Sequence, residues 1–147
     1  MRISKRSRYG IRMMLELALN YGKNPLQISE IAEREEISKK YLGQLIIPLK
    51  NAGYVSSIRG AYGGYILAKP PEAITIKELF TILEGDLSLA ECTKNPTICK
   101  RTTLCSTRDI WKLISDRISG VLENMTLKDL AEDTRKKQSM QSFTYQI

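Results

Sequence analysis

Histidine is absent from the 147 residues of this chain. Its absence removes the commonest general base, every Ser–His or Cys–His catalytic pair and all imidazole metal ligands. No convergent acid–base pair replaces them, so an enzyme is not expected. Long apolar runs are missing as well: no stretch reaches the roughly 18 residues of a membrane-spanning helix. The amino terminus, Met1-Arg2-Ile3-Ser4-Lys5-Arg6, begins basic but lacks the apolar segment and small-residue cleavage site of a secretion signal. A cytoplasmic location without membrane partners follows as the expectation. Cysteine is scarce, with three residues, Cys92, Cys99 and Cys105, and none elsewhere. An odd number without an export signal argues against a disulfide framework.

What remains is an ordinary globular composition. Hydrophobic residues make up 42% and charged residues 27%, enough to bury a core. The length suits one domain, or a small domain with an oligomerisation element. The net charge is +7, and it is unevenly placed. Residues 1–66 hold eleven Lys and Arg against five Asp and Glu, so nearly all the excess lies in the first half. A localised basic surplus points to an anionic partner, nucleic acid before membrane surface. A solvated basic surface with no partner is the alternative.

The order of elements narrows that choice. Tyr9, Met13, Leu17 and Tyr21, with Met14 and Ala18 beside them, predict a buried helix over residues 5–21, ended by Gly22 and Pro25. A short helix over 28–35 turns Ile28, Ile31 and Ala32 inward. After a turn at Glu36-Ile37, Ser38 is placed to cap a third helix over 39–52, whose apolar side is Tyr41, Leu42, Leu45, Ile46 and Leu49. Pro48 should kink it or tighten its end, and Gly53 should stop it. Two alternating runs, 54–59 and 64–68, flank Gly60-Ala61-Tyr62-Gly63 and predict a hairpin. Two helices, a tight turn and a hairpin are the order of a winged helix-turn-helix. The predicted class is mainly α with a small β-hairpin wing, followed by a long C-terminal helix.

Pro70-Pro71 opens a linker, and Thr75 with Glu78 stands at capping-box spacing before a helix to Leu83. Residues 92–105 read as polar and irregular. Ser106 is the expected cap of a long helix to about Asn124, with Asp109 at its third position. Ile110, Trp111, Ile114, Ile118, Val121, Leu122 and Met125 form its apolar stripe. Thr126 and Asp129 repeat the capping pattern for a last short helix, and the end of the chain, Arg135–Ile147, reads as mobile. The expected division is a DNA-binding domain at 1–69, a linker helix and cysteine loop at 70–105, the long and following helices at 106–131, and a flexible tail at 132–147.

The candidate DNA-reading residues are Ser38, Lys39, Lys40, Tyr41 and Gln44 at the start of the third helix, where such helices meet base edges. Arg59 at the mouth of the hairpin suits the minor groove or a phosphate. Arg6 and Arg8, ahead of the first helix, suit the backbone. The cysteines have the spacing C-x6-C-x5-C, with Lys94, Lys100, Arg101 and Arg108 around them to favour thiolate. Soft sulfur ligands suit zinc or an iron–sulfur cluster. Both usually take four protein ligands, which leaves the fourth to Asp109, another carboxylate, a partner subunit or a non-protein ligand. Inert thiols, or redox sensing through a disulfide, are the metal-free readings.

Three segments carry a family resemblance: M-R-I-S-K-R-S-R-Y-G, Y-L-G-Q-L-I-I-P-L-K-N-A-G-Y-V and the wing S-I-R-G-A-Y-G-G-Y-I-L-A. Together with W-K-L-I-S-D-R-I-S-G-V-L and T-L-K-D-L, they resemble the IscR/NsrR/CymR ("Rrf-two") family of bacterial transcription regulators over about 130 residues. The wing motif R-G-x-x-G-G-Y is specific to that family. The resemblance implies a homodimer on palindromic, double-stranded promoter DNA, with the Ile110–Met125 stripe as the subunit seam. It implies an iron–sulfur cluster on Cys92, Cys99 and Cys105, [2Fe–2S] before [4Fe–4S], and control of cluster-assembly genes. The alternatives are a nitric-oxide- or thiol-redox-sensing regulator and a cluster-free constitutive DNA-binding protein. This chain departs from the family at three places. Arg108 stands where cluster-binding members commonly have histidine, and a guanidinium is no ligand. Ser7-Arg8-Tyr9 offers no carboxylate where nitric-oxide sensors have one. Gly43 replaces an acidic residue common in relatives.

Overall fold

The computed structural model describes residues 1–146. Helix α1 (Lys5–Leu19) packs with α2 (Ile28–Glu35) and α3 (Lys39–Asn51), and a hairpin of β1 (Val55–Ile58) and β2 (Gly64–Leu67) follows. Then come α4 (Ile76–Glu84), the one-turn helix α5 (Glu91–Lys94), α6 (Ser106–Glu123) and α7 (Leu127–Tyr145). The class is therefore as expected: helical with a two-stranded antiparallel wing, in register Val55 to Leu67 through Ile58 to Gly64.

The core lies between α1, α3, α4 and the root of the wing. Met13, Met14 and Leu17 of α1 meet Leu42, Leu45 and Leu49 of α3, and Leu79 and Leu83 of α4, all buried. Helix α1 approaches α4 so closely that a Cβ at Gly10 would lie 2.5 Å from Leu83 Cδ1. The wing is tied down by a third, single-residue pairing: Leu26 and Tyr65 exchange both backbone hydrogen bonds, at 3.0 and 2.7 Å. That approach leaves no room for a side chain at Gly64, whose φ is 156° and whose Cβ would stand 2.4 Å from the Leu26 carbonyl oxygen. A second clip, Ile76 N–H to the Met125 carbonyl and Leu127 N–H to the Ile74 carbonyl, both 2.8 Å, joins the start of α4 to the α6–α7 turn.

Several boundaries differ from expectation. Helix α1 stops at Leu19, and Tyr21 is exposed rather than buried, because Gly22 and the turn before it carry the chain away from the core. Ser4 caps α1, so Arg6 and Arg8 lie inside its first turn rather than ahead of it. Helix α3 runs through Pro48 to Asn51; Pro48 forgoes only its own hydrogen bond, near the end of the helix. Cys105, not Ser106, precedes α6, and Asp109 makes no capping box there. The boxes at Thr75–Glu78 and Thr126–Asp129 form as the spacing predicts.

The cysteine segment is not irregular throughout. It holds α5 and two single-turn 3-10 helices, Pro96–Ile98 and Thr102–Leu104. The tail expected to be mobile is helical to Tyr145; Ile147 lies outside the described residues. Its sequence is rich in good helix formers, and Asp133–Lys137 and Lys128–Glu132 pair one turn apart. Leu127 and Ala131 anchor its start in the core.

Candidate nucleic-acid interface and sensor loop

Ser38 begins the third helix by accepting a hydrogen bond from the Tyr41 N–H at 3.1 Å, which satisfies one orphan donor of the first turn. The apolar face of α3 is turned to the core, so Lys39, Lys40 and Gln44 are left exposed on the other side. Arg59 and Lys39 line one open cleft of 410 Å³ between the starts of α2 and α3 and the wing. The structure therefore brings together two cations that the sequence separates by twenty positions. Gln27 and Ser29 share that cleft, and Tyr62 stands 92% exposed at the wing tip. None of these three stands among the contact residues expected from the sequence. Polar residues beside a capping position, and an aromatic inside a glycine-rich turn, were the available signals.

Tyr41 sits differently from its lysine neighbours. Its ring is half-buried and meets Tyr9 edge-on, centres 6.0 Å apart. The Arg8 guanidinium lies over the Tyr9 ring, 5.8 Å from its centre. Arg6 is exposed in a first turn that carries no carboxylate of its own. Glu84, from the end of α4, supplies one there, accepting hydrogen bonds from the hydroxyls of Ser4 and Ser7. Those bonds hold its carboxyl below the usual carboxylate range, and a negative charge at a helix N-terminus is favourable.

The three cysteines lie on the segment between α4 and α6. Cys92 is on α5, Cys99 is exposed between the 3-10 turns, and Cys105 directly precedes α6. Among the described residues no three Cys, Asp or Glu side chains are close enough together to share one metal ion. The Cys105 thiol meets the Thr107 hydroxyl at 3.1 Å. That contact, then the Arg108 backbone N–H, lowers its pKa. The surrounding cations expected to do this are partly engaged elsewhere. Lys94 pairs with Asp86 at 3.1 Å, and Arg108 Nε donates to the Cys92 carbonyl at 3.0 Å. Ser115 of α6 accepts from the Leu89 N–H at 3.1 Å, a second tie between this segment and α6.

Helix α6 has no buried residue. Ile110, Trp111, Ile114, Val121 and Met125 are exposed, Ile118 and Leu122 half-buried, and Leu113, absent from the predicted stripe, is 57% exposed. No helix among the described residues is long and apolar enough to cross a membrane.

The sequence pattern of the Rrf2 family, described as an iron-dependent transcriptional regulator, matches residues 3–133. The chain belongs to the Rrf2 family. It is 41% identical over 143 residues to the HTH-type transcriptional regulator CymR of Bacillus subtilis, covering 97% of this chain and 99% of that protein. The solved structure of CymR, the global cysteine regulator of B. subtilis, superposes with a TM-score of 0.78 over 90% of this chain and 97% of its own, at 41% identity. IscR of Escherichia coli is 35% identical over 133 residues, 90% of this chain and 82% of that protein. The IscR structure from T. potens, also 35% identical, has a TM-score of 0.78 and covers 94% of this chain and 91% of its own. The protein is thus a DNA-binding transcriptional regulator of winged-helix fold and not an enzyme.

Proposed function

We propose that the protein is a homodimeric regulator of promoter DNA whose three-cysteine segment reports iron–sulfur status to the DNA-reading helices. The reader comprises residues 1–69, the segment 70–105 the sensor, and 106–131 the seam. Helix α3 enters the major groove of each half of a palindromic operator, with Lys39, Lys40 and Gln44 toward the bases. Ser38 and Tyr41 set the first turn, Arg59 meets the adjacent backbone or minor groove, and Arg6 and Arg8 take phosphates. The single observation that carries the dimer is α6, an 18-residue helix with an apolar stripe and nothing buried. Ile110, Trp111, Ile114, Ile118, Val121, Leu122 and Met125 face their copies across the two-fold axis.

Cys92, Cys99 and Cys105 are the sulfur donors for a cluster, [2Fe–2S] in the favoured form. Their chemistry fits: all three are thiols outside the core, on one segment, and the Cys105 thiol is shifted toward thiolate. When bound, the cluster supplies an iron- and redox-labile cross-link among them. The segment's ties to α6, Arg108 to the Cys92 carbonyl and Ser115 to the Leu89 N–H, give a change in the loop a direct route to the seam. A coupling of about 1.4 kcal/mol suffices for a tenfold change in operator affinity. Control of iron–sulfur assembly genes, from the cytoplasm, completes the reading. Anaerobic purification and an absorption spectrum test it. Visible bands that vanish in a C92S/C99S/C105S variant are expected; a colourless, zinc-loaded protein would sink the cluster.

Thiol-redox sensing is the second reading, favoured by three cysteines that are not gathered around one point and by the likeness to a cysteine regulator. It requires a reversible disulfide, found by mass mapping after mild oxidation, that changes operator affinity in a cluster-free sample.

A further inference from the structure

Arg12 stands on α1 facing the turn between α2 and α3, and its guanidinium is already engaged on three sides. Nε donates to Glu35 Oε2 at 2.5 Å, and a terminal nitrogen donates to the Glu35 carbonyl oxygen at 2.6 Å. The same group lies 5.6 Å from the centre of the Tyr9 ring, the ring that meets Tyr41 edge-on. One cation therefore touches two structures at once. It satisfies a carbonyl at the C-terminal end of α2, where the helix dipole favours positive charge. It also stacks on the aromatic pair against which the first turn of α3 rests.

Between those contacts lies Glu36, with φ 54°, the one described non-glycine residue in the left-handed region. Such a conformation persists when the surroundings impose it. Ile37 is buried beyond it, and Ser38 then caps α3. The Glu35 side chain is only 15% exposed, and Glu16 stands beside it, paired with Arg34 at 3.2 Å. Burial, then the neighbouring Glu35, pushes the Glu16 carboxyl up. Arg12 is the counter-charge that lets Glu35 sit in this crowded place.

We infer that Arg12 is a positioning residue for DNA reading: it holds the α2–α3 turn and the first turn of α3 at a fixed angle to α1 rather than gripping phosphate. The inference rests on α3 being the reading helix, as proposed above. A lysine keeps the charge but cannot reproduce the guanidinium fork, which makes the two roles separable.

The test uses full-length protein, a duplex selected by the wild type from a pool with a randomised core, and an unrelated duplex of equal length. R12K is expected to lose about tenfold in affinity for the selected duplex, the size of one charge-assisted hydrogen bond. Its binding to the unrelated duplex and its salt slope should stay unchanged. E35Q supplies an independent arm, useful also if R12K folds poorly in thermal melts. It removes a negative charge, so simple electrostatics predicts tighter binding; positioning predicts weaker binding to the selected duplex alone. R12K at wild-type affinity, or E35Q binding both duplexes more tightly, would overturn the inference. So would R12A weakening both duplexes equally with a salt slope lower by about 1, the mark of a lost phosphate contact. A wild type that selects no sequence removes the reading-helix assignment first, and this inference with it.

Discussion

The segment from Ser7 to Leu83 and the segment from Glu84 to Thr126 are both folded, yet they are held in different ways. The first contains nearly all the buried residues, among them Met13, Leu42, Leu49 and Leu79 at full burial. The second contains none. Its helices are tied by hydrogen bonds such as Arg108 to the Cys92 carbonyl and the Leu89 N–H to Ser115, with Leu122 packed against the core and Trp111 and Leu113 facing outward. The first region buries most of its large apolar side chains in its own core, leaving scattered exceptions such as Ile47 and Tyr62. The second has apolar surface still to bury, which is the physical signature of a partner surface.

The largest effect that can break this contrast is on assembly. If α6 is the proposed seam, Trp111→Glu with Ile114→Glu should weaken dimerisation about a thousandfold, some 4 kcal/mol. The chain should stay helical, since neither residue belongs to the core. Sedimentation and circular dichroism on one sample check both halves. A dimer that survives would place the seam elsewhere.

Next comes truncation of equal chemistry in the two regions. Leu79→Ala should cost about 3 kcal/mol of unfolding free energy through the cavity it leaves. Leu113→Ala in the monomeric background should change it by no more than about 0.5 kcal/mol. Urea titrations of both variants decide the matter, and equal losses would erase the contrast.

Smaller still is the effect at the wing. Arg59→Ala should weaken DNA binding about tenfold and lower the salt slope by about 1, while melting is unchanged. Binding measured across a salt series checks it; an unaltered slope would remove Arg59 from the interface.

The smallest concerns Glu84, at the border of the two regions. Its folded-state pKa is depressed by Ser4 and Ser7. The stability it contributes is therefore present above the unfolded carboxyl's pKa and lost as pH falls through the lower, folded value. Glu84→Gln should flatten that part of the acid-unfolding curve, with little change at neutral pH in its slope. Identical acid limbs for the two proteins would argue against the clasp.

Much of the fold was legible locally. Thr75 with Glu78, and Thr126 with Asp129, announced helix starts because a capping box involves only four consecutive residues. The wing was legible because the glycine-rich turn Gly60-Ala61-Tyr62-Gly63 separates two alternating runs, whereas the close approach of Gly64 to Leu26 was not. Tyr21 misled because a period of three to four continues past the point where the chain turns away. The helical tail was missed because polarity was read as mobility, although pairs such as Asp133–Lys137 stabilise a helix without any core. The candidate site was legible by residue type and not by geometry. Lys39 and Arg59 stand out in the sequence, but their shared cleft does not; nothing in the sequence singles out Arg12.

By itself the sequence determined the helical periods, the caps, the glycine-dependent wing, the absence of histidine chemistry and the number of sulfur donors. Each depends on residue identity or on neighbours within a turn or two. Long-range packing set which apolar stripe is covered and which is not, and that Arg12 is held by Glu35 and Tyr9. Packing likewise set that the three thiols, neighbours on one segment, do not gather around one point. Those facts depend on contacts between residues far apart in the chain, where burial and charge partners are set by packing rather than by spacing.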